Sequence, residues 1–337
     1  MYAKLFISLY RLVLSMKILI TGGAGFVGSH LVDYFIKNYN YEIIVLDNMS
    51  YAANFDNIKQ HIENNSIKFV LGDVNNYSLY SKILKDVSLV IHTAAESHVD
   101  NSFFDPWRFV KTNVEGTQVL LQACKEFEVP KIIHFSTDEV YGDTIDTAFT
   151  EDFALNPTNP YSASKAAADM IIASYKKSFD MNIITVRPNN IFGTRQHREK
   201  LIPTCILHLK QEKKIPIHGK GFNKRTYLSI KDLCKAIDLI RTNGNDKEIY
   251  NIGCDFEYKV IDVVKLFCDY LDLDLNKSIK FIEDRAYNDT RYLIDYSKFV
   301  KKELWYPKIR LEDEVIELFN WYSQVQAPFA HGWFKND

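Results

Sequence analysis

A chain of 337 residues, 47% hydrophobic and 25% charged, has the composition of a globular protein, long enough to remove roughly three quarters of its extended-chain surface from water on folding. Its formal net charge of −2 excludes a global field that would gather nucleic acid, so no nucleic-acid partner is expected. Cys124, Cys205, Cys234, Cys254 and Cys268 are well separated, odd in number and without metal-ligand spacing. They read as reduced structural thiols, which implies a cytoplasmic setting and no metal centre.

In chain order, residues 1–15 carry short apolar pieces interrupted by Ser8 and Arg11, well short of the roughly 20 apolar residues of a membrane span. A leader or an alternative upstream start is expected there, and no membrane partner. Residues 16–20 predict a strand that enters Thr21-Gly22-Gly23-Ala24-Gly25-Phe26-Val27-Gly28, after which Leu31, Val32, Phe35 and Ile36 have the spacing of a helix with one buried stripe. Gly22, Gly25 and Gly28 suit a tight turn with close phosphate approach, and the helix start at Phe26 and Val27 offers amides to a pyrophosphate. The next strand, 43–46, ends at Asp47, a carboxylate placed for ribose hydroxyls. That acid disfavours a ribose carrying an extra phosphate, so NAD is the expected cofactor rather than NADP.

Further strands are predicted at 67–71, 89–93 and 131–135, alternating with helical patterns. The fold class is therefore α/β, a Rossmann-like parallel sheet with a smaller interwoven substrate-binding domain. Asp73 reads equally as an adenine-face contact or a turn cap. Ala94 and Ala95 give close backbone access at a strand end, and Thr112 with Asn113 could brace the same region or bind directly. Ser136-Thr137-Asp138-Glu139 sets hydroxyls and two carboxylates where the sheet opens. Pro160 then introduces a helix, 162–177, on which Tyr161 and Lys165 share a face at i and i+4. Lys165 can favour a tyrosinate and hold a cofactor ribose, while Tyr161 accepts an alcohol proton. A strand at 182–186 follows.

These motifs, with Ala94-Ala95-Glu96-Ser97-His98-Val99-Asp100, Val140-Tyr141-Gly142 and Tyr161-Ser162-Ala163-Ser164-Lys165, resemble the extended short-chain dehydrogenase/reductase family. The closer resemblance, over about 16–320, is to its dTDP-glucose 4,6-dehydratases. That resemblance implies that Tyr161, with Lys165 and Thr137, deprotonates a sugar 4-hydroxyl as hydride passes to NAD, that Glu139 takes the C5 proton, and that Asp138 protonates the departing C6 hydroxyl. It further implies a nucleotide-diphosphate hexose held by Ser97, Thr137, Asn190, Glu199, Lys200, Leu201, Pro216, His218, Arg225, Asn251, Arg285 and Asn288. A homodimer is implied through helices around 104–124 and 162–177.

His197, Arg198, His218 and Asn288 depart from the thymidylyl-sugar pattern, and the latter two are similar to uridylyl-sugar relatives, so dTDP-glucose and UDP-glucose both stay open. Competing readings are a nucleotide-sugar 4-epimerase, which needs no carboxylate pair, and a catalytically inactive NAD-binding regulator. The expected division is 16–187 mainly for NAD, 188–330 mainly for the nucleotide sugar, and a tail at 331–337.

Overall fold

The computed structural model describes residues 16–324 apart from 286 and 304; the expected leader at 1–15 and tail at 331–337 lie outside the described residues. The strands are β1 (Lys17–Thr21), β2 (Glu42–Asp47), β3 (Ile67–Leu71), β4 (Leu89–His92), β5 (Ile132–Phe135), β6 (Ile183–Pro188), β7 (Asn190–Phe192), β8 (Ile215–His218), β9 (Lys224–Ser229), β10 (Ile249–Ile252), β11 (Glu257–Lys259) and β12 (Ile279–Ile282). Helices that matter below are α1 (Phe26–Asn38), α2 (Gly116–Glu126), α3 (Pro160–Phe179), α4 (Leu201–Lys210), α5 (Ile230–Asn243), α6 (Val260–Tyr270) and α7 (Leu311–Gln324).

A seven-stranded sheet runs β10-β6-β5-β4-β1-β2-β3, and every neighbouring pair is parallel. Its inner strands read as continuous apolar runs because helices cover both faces. Period-two alternation assigns the faces. Ile18, Ile20, Val45 and Ile91 pack with Leu31, Val32 and Phe35 of α1 and with Ile237 and Ile240 of α5. Leu19, Ile44 and Val90 point the other way, onto Leu120 and Leu121 of α2 and Ile172 of α3. Each such burial contributes roughly 1.5–3 kcal/mol, and together they fix where the helix starts meet the sheet edge.

Strand order reverses at β1, which lies between β2 and β4, so a crevice opens beyond their carboxyl ends, the place where such sheets bind ligands. After β6 the chain builds a small layer, β11-β9-β7 beside β12-β8, over a separate core of Phe192, Ile206, Ile217, Val264, Phe267 and Leu318 under α4, α6 and α7. It returns to the large sheet at β10, which pairs with β6.

Three local features differ from the sequence expectation. α3 begins earlier than 162, because Pro160 takes the first helical position and Asn159 caps it: Asn159 Oδ1 accepts from the Ser162 amide at 2.9 Å and Ser162 Oγ accepts from the Asn159 amide at 3.2 Å. β6 runs on to Pro188 with every residue buried. A π-turn at Val110–Glu115 leads into α2, a local widening of the kind that recurs at functional sites.

Candidate active site

The crevice between β1 and β4 is an open cleft. Gly22, Gly25, Phe26, Val27, Gly28 and Asp47 form one wall; Ala94, Ala95, Ser97 and Thr112 form another; Glu199 and Lys200 reach in from the segment before α4. Residues expected from separate motifs thus meet around one space.

The glycine turn fits a dinucleotide pyrophosphate. Gly22 has φ 71°, and a Cβ there would lie 2.8 Å from the backbone of Ala94, so the turn and the β4 end close on each other only without a side chain. A Cβ on Gly28 would fall 2.2 Å from the Gly22 carbonyl oxygen. Gly28→Ala is therefore expected to push α1 off the turn, lowering stability by roughly 1–3 kcal/mol and weakening NAD binding, as calorimetry of the variant would show. No side chain caps α1 at Gly25, which leaves the first-turn amides to an anion.

Asp47 ends β2 with Oδ2 accepting from the Ala24 amide at 2.9 Å and Oδ1 from the Met49 amide at 2.8 Å. Burial raises its pKa and those two amides oppose the shift. The carboxylate is thereby held in a set orientation on the cleft wall. Asp73 does not reach that wall: its oxygens accept from Asn48 Nδ2 and from the Asn75 amide and side chain, each at 2.9 Å. It stands behind Asn48, which does line the cleft. Beside Thr112, the buried Asn113 ties the loop after β4 to α3, its Oδ1 accepting from the Glu96 amide at 2.8 Å and its Nδ2 donating to Ser164 Oγ at 2.8 Å.

At the end of β5, Thr137 caps a short helical turn, Asp138–Tyr141. Its hydroxyl accepts from the Glu139 amide at 3.3 Å, donates to Asp138 Oδ1 at 3.2 Å, and hydrogen-bonds the Tyr161 phenol. Asp138 is buried, and its Oδ2 accepts from Asn189 Nδ2 at 2.7 Å. The Tyr292 hydroxyl donates to Asp289 Oδ2 and lies 3.4 Å from Glu139 Oε2, and Arg225 stacks 4.5 Å from the Tyr292 ring centre. Thr137, Asp138, Glu139 and Tyr161 therefore form one cluster. Lys200 joins it to the cleft, since it lines that space and its charge acts on Glu139.

Burial raises both carboxyls. Burial, then the charge of Glu139, pushes Asp138 up to about 7, so it carries a proton through much of the neutral range. Glu139 is also raised by burial, but Lys200 and Arg225 pull it back. Because the native pKa of Asp138 exceeds its ordinary value, the native state keeps a proton that the unfolded chain releases. That contribution to stability is whole below about pH 4 and is lost as pH rises towards about 7. Asp138→Asn, which cannot ionise, is accordingly expected to be more stable than the natural protein by about 1–4 kcal/mol at roughly pH 8. In denaturant titrations the gap should close on acidification towards about pH 4.

Lys165 Nζ donates to the Phe135 carbonyl at 2.5 Å, while burial and the Glu139 charge raise the Tyr161 pKa, with Thr137 opposing. In this arrangement the direct partner of the phenol is Thr137. The Lys165 ammonium, buried and lowered to about 8, lies at the end of β5.

The expected sugar-nucleotide residues divide. Lys200 Nζ donates to the Ser97 carbonyl at 2.7 Å, bridging two walls. Glu199 accepts from the Tyr51 hydroxyl at 3.2 Å and lies 3.3 Å from His197 and 3.5 Å from His98. Asn190 and Leu201 are half-buried at the starts of β7 and α4, and Pro216 is half-buried on β8. His218 Nδ1 bonds the Glu283 carbonyl at 3.1 Å, and Asn288 Nδ2 donates to Asp284 Oδ1 at 2.7 Å. Arg285 pairs with Asp100, its Nη2 donating to Oδ2 at 3.0 Å and its Nε lying 2.7 Å from Oδ1.

Asn251 overturns its expectation. It is fully buried on β10, its Nδ2 donating to the Phe149 and Asp295 carbonyls and its Oδ1 accepting from Tyr141. Both hydrogens of that amide are used within the fold and the side chain is fully buried, so it locks the fold beneath the site. Sequence reasoning missed Asn189, Asn159 and Tyr292, which surround the two carboxyls. For Asn159 a signal existed, the Asn-Pro step that opens α3.

A family model described as GDP-mannose 4,6 dehydratase matches residues 19–318. The chain belongs to this family, within the extended short-chain dehydrogenase/reductase fold shared by nucleotide-sugar 4,6-dehydratases and epimerases. A trifunctional UDP-glucose 4,6-dehydratase/UDP-4-keto-6-deoxy-D-glucose 3,5-epimerase/UDP-4-keto-L-rhamnose-reductase of Arabidopsis thaliana is 41% identical over 315 residues, covering 91% of this chain and 47% of that protein. This chain thus spans about half the length of that relative. A dTDP-D-glucose 4,6-dehydratase of Dictyostelium discoideum is 39% identical over 354 residues, covering 91% of this chain and 81% of its own. The crystal structure of a dTDP-glucose 4,6-dehydratase from Streptomyces venezuelae with NAD bound matches at TM-score 0.88 and 35% identity, covering 91% of this chain and 97% of that one.

Proposed function

We propose that this family member catalyses NAD-dependent 4,6-dehydration of a nucleotide-diphosphate hexose, dTDP-glucose or UDP-glucose, to the 4-keto-6-deoxy sugar. The observation that carries the reading is the adjacent, buried pair Asp138 and Glu139, with Asp138 held up to about 7, beside Tyr161 and Thr137 and tied through Lys200 to a dinucleotide cleft. A 4-epimerase needs the tyrosine but has no use for the acid and base.

NAD, when bound, supplies reversible hydride transfer with the sugar. The glycine turn and α1 would hold its pyrophosphate, Asp47 its adenosine ribose, and Lys165 the nicotinamide ribose. Tyr161, oriented by Thr137, accepts the proton of the C4 hydroxyl as that carbon is oxidised. The resulting carbonyl acidifies C5; Glu139 takes the C5 proton while Asp138 gives its proton to the C6 hydroxyl, which departs as water. Glu139 then returns a proton to C5 as hydride returns to C6.

Lys200, Arg225, Asn190 and His218 would meet the nucleotide sugar. Arg285 reaches a diphosphate only by releasing Asp100. Residues 16–187 then serve mainly NAD and 188–330 mainly the sugar nucleotide. Phe104, Trp107 and Met170 are 87, 80 and 71% exposed along the helices around 99–109 and α3, which supports a homodimer through these helices; light scattering that finds only monomers at all concentrations would refute it. Five free, buried cysteines support a cytoplasmic setting. Among the described residues no helix is long and apolar enough to cross a membrane.

Mass-resolved product analysis with dTDP-glucose, UDP-glucose and GDP-mannose in parallel tests the reading. Loss of one water from a thymidylyl or uridylyl substrate supports it. An isomer of unchanged mass from every substrate replaces it with epimerisation.

A further inference from the structure

Behind Lys165 lies a buried ion pair that the scheme above leaves without a part. Asp169 follows Lys165 by one turn of α3, on the same face. Its Oδ2 accepts from Ser136 Oγ at 3.0 Å and from Arg187 Nε and Nη2 at 3.0 and 2.9 Å. Ser136 follows Phe135, whose carbonyl receives the Lys165 ammonium. Both members of the pair are 4% exposed in their side chains. Arg187 continues outward, donating to the Tyr141 hydroxyl at 2.7 Å.

The other titratable groups of this layer come from every strand packed under α3. His92 on β4 is lowered to about 3 and His134 on β5 well below its ordinary value, in each case by burial first and the Lys165 charge second, so both rings are neutral. Arg187 on β6 and Lys176 further along α3 add positive charge near Asp169. His134 Nε2 lies 3.9 Å from Asp169 Oδ1, and neither atom has a hydrogen-bond partner. Asp169 is the one carboxyl of this layer among the groups named, and its Oδ1 faces His134 without a hydrogen bond.

We propose that Asp169, anchored by Arg187 and Ser136, is a positioning residue that keeps Lys165 an ammonium against the Phe135 carbonyl, with Arg187 setting how much of the Asp169 charge the lysine feels. The proposal rests on the dehydratase reading, in which Lys165 serves the oxidation half. Removing a buried ion pair's one member leaves the other uncompensated, and here the two removals act on Lys165 with opposite signs. Without the Asp169 carboxylate, burial acts unopposed on Lys165 and drives its proton off at lower pH. Without Arg187, the carboxylate acts unshielded and the proton stays on to higher pH.

The test is the pH dependence of the first hydride transfer, read from reduced-nicotinamide absorbance after mixing NAD-loaded enzyme with dTDP-glucose or UDP-glucose. Asp169→Asn should move the alkaline limb to lower pH by about one unit or more, and Arg187→Gln should move it to higher pH. A merely structural pair would lower amplitude or stability in both without moving the limbs apart. If Asp169→Asn fails to fold, Arg187→Gln decides alone, and an unmoved or lowered limb overturns the proposal. Limbs that stay put, or shift the same way in both variants, also overturn it. Wild-type enzyme that forms no reduced nicotinamide overturns the dehydratase reading and this proposal with it.

Discussion

Replacing Tyr161 by Phe should slow the first hydride transfer by roughly 10²–10⁴-fold, the span of a positioned acid or base, with folding unaffected. The ring is 8% exposed and packs edge-on against Phe109, 6.2 Å between centres, and a phenylalanine keeps that contact. Only the hydroxyl is lost, with its hydrogen bond to Thr137 and its place near Glu139. Burial and the Glu139 charge hold the free phenol protonated, so the group becomes a base only as substrate and a cationic nicotinamide fill the space around it. Rapid mixing with substrate, following nicotinamide reduction in a single turnover, measures the step. Thr137→Val should show a smaller defect in the same step, since it removes orientation and leaves the base. A Tyr161→Phe enzyme within about tenfold of wild type would move the proton-accepting role elsewhere.

What could be read beforehand was whatever the chain encodes locally. Gly25 and Gly28 follow Gly22 at intervals of three because the turn and the helix must both clear the Gly22 carbonyl, a constraint contained within a short stretch. The acidic pair and the tyrosine helix were legible for the same reason. Contacts that join distant segments were not. Asn251 looked like a ligand residue because a polar side chain stood at a strand end, yet β10 pairs with β6 and brings it under Tyr141, where its amide is consumed. Arg285 has the chemistry of a diphosphate ligand, but Asp100, 185 positions earlier, holds it. Asn189 was invisible as a site residue because only folding aims its amide at Asp138.

Glu139→Gln should separate the two halves of the reaction. Glutamine keeps the size of the side chain and its place beside the Tyr292 hydroxyl, but it cannot take a proton. Oxidation at C4 needs Tyr161 and should proceed; abstraction at C5 needs Glu139 and should fall by roughly 10²–10⁴-fold. Reduced nicotinamide would then persist after mixing instead of passing through a transient, and exchange of the C5 hydrogen with deuterated solvent would slow by the same factor. The change reaches Asp138 as well. Part of what pushes its pKa up to about 7 is the Glu139 charge, and removing a like charge lets a carboxyl ionise at lower pH. The residual elimination by the Gln variant should therefore lose its acid, and its rate, at lower pH than wild type does. Equal slowing of oxidation and elimination, or wild-type exchange at C5, would assign the base to another group. An unshifted limb would mean that burial alone, rather than the paired charge, keeps the Asp138 proton in place.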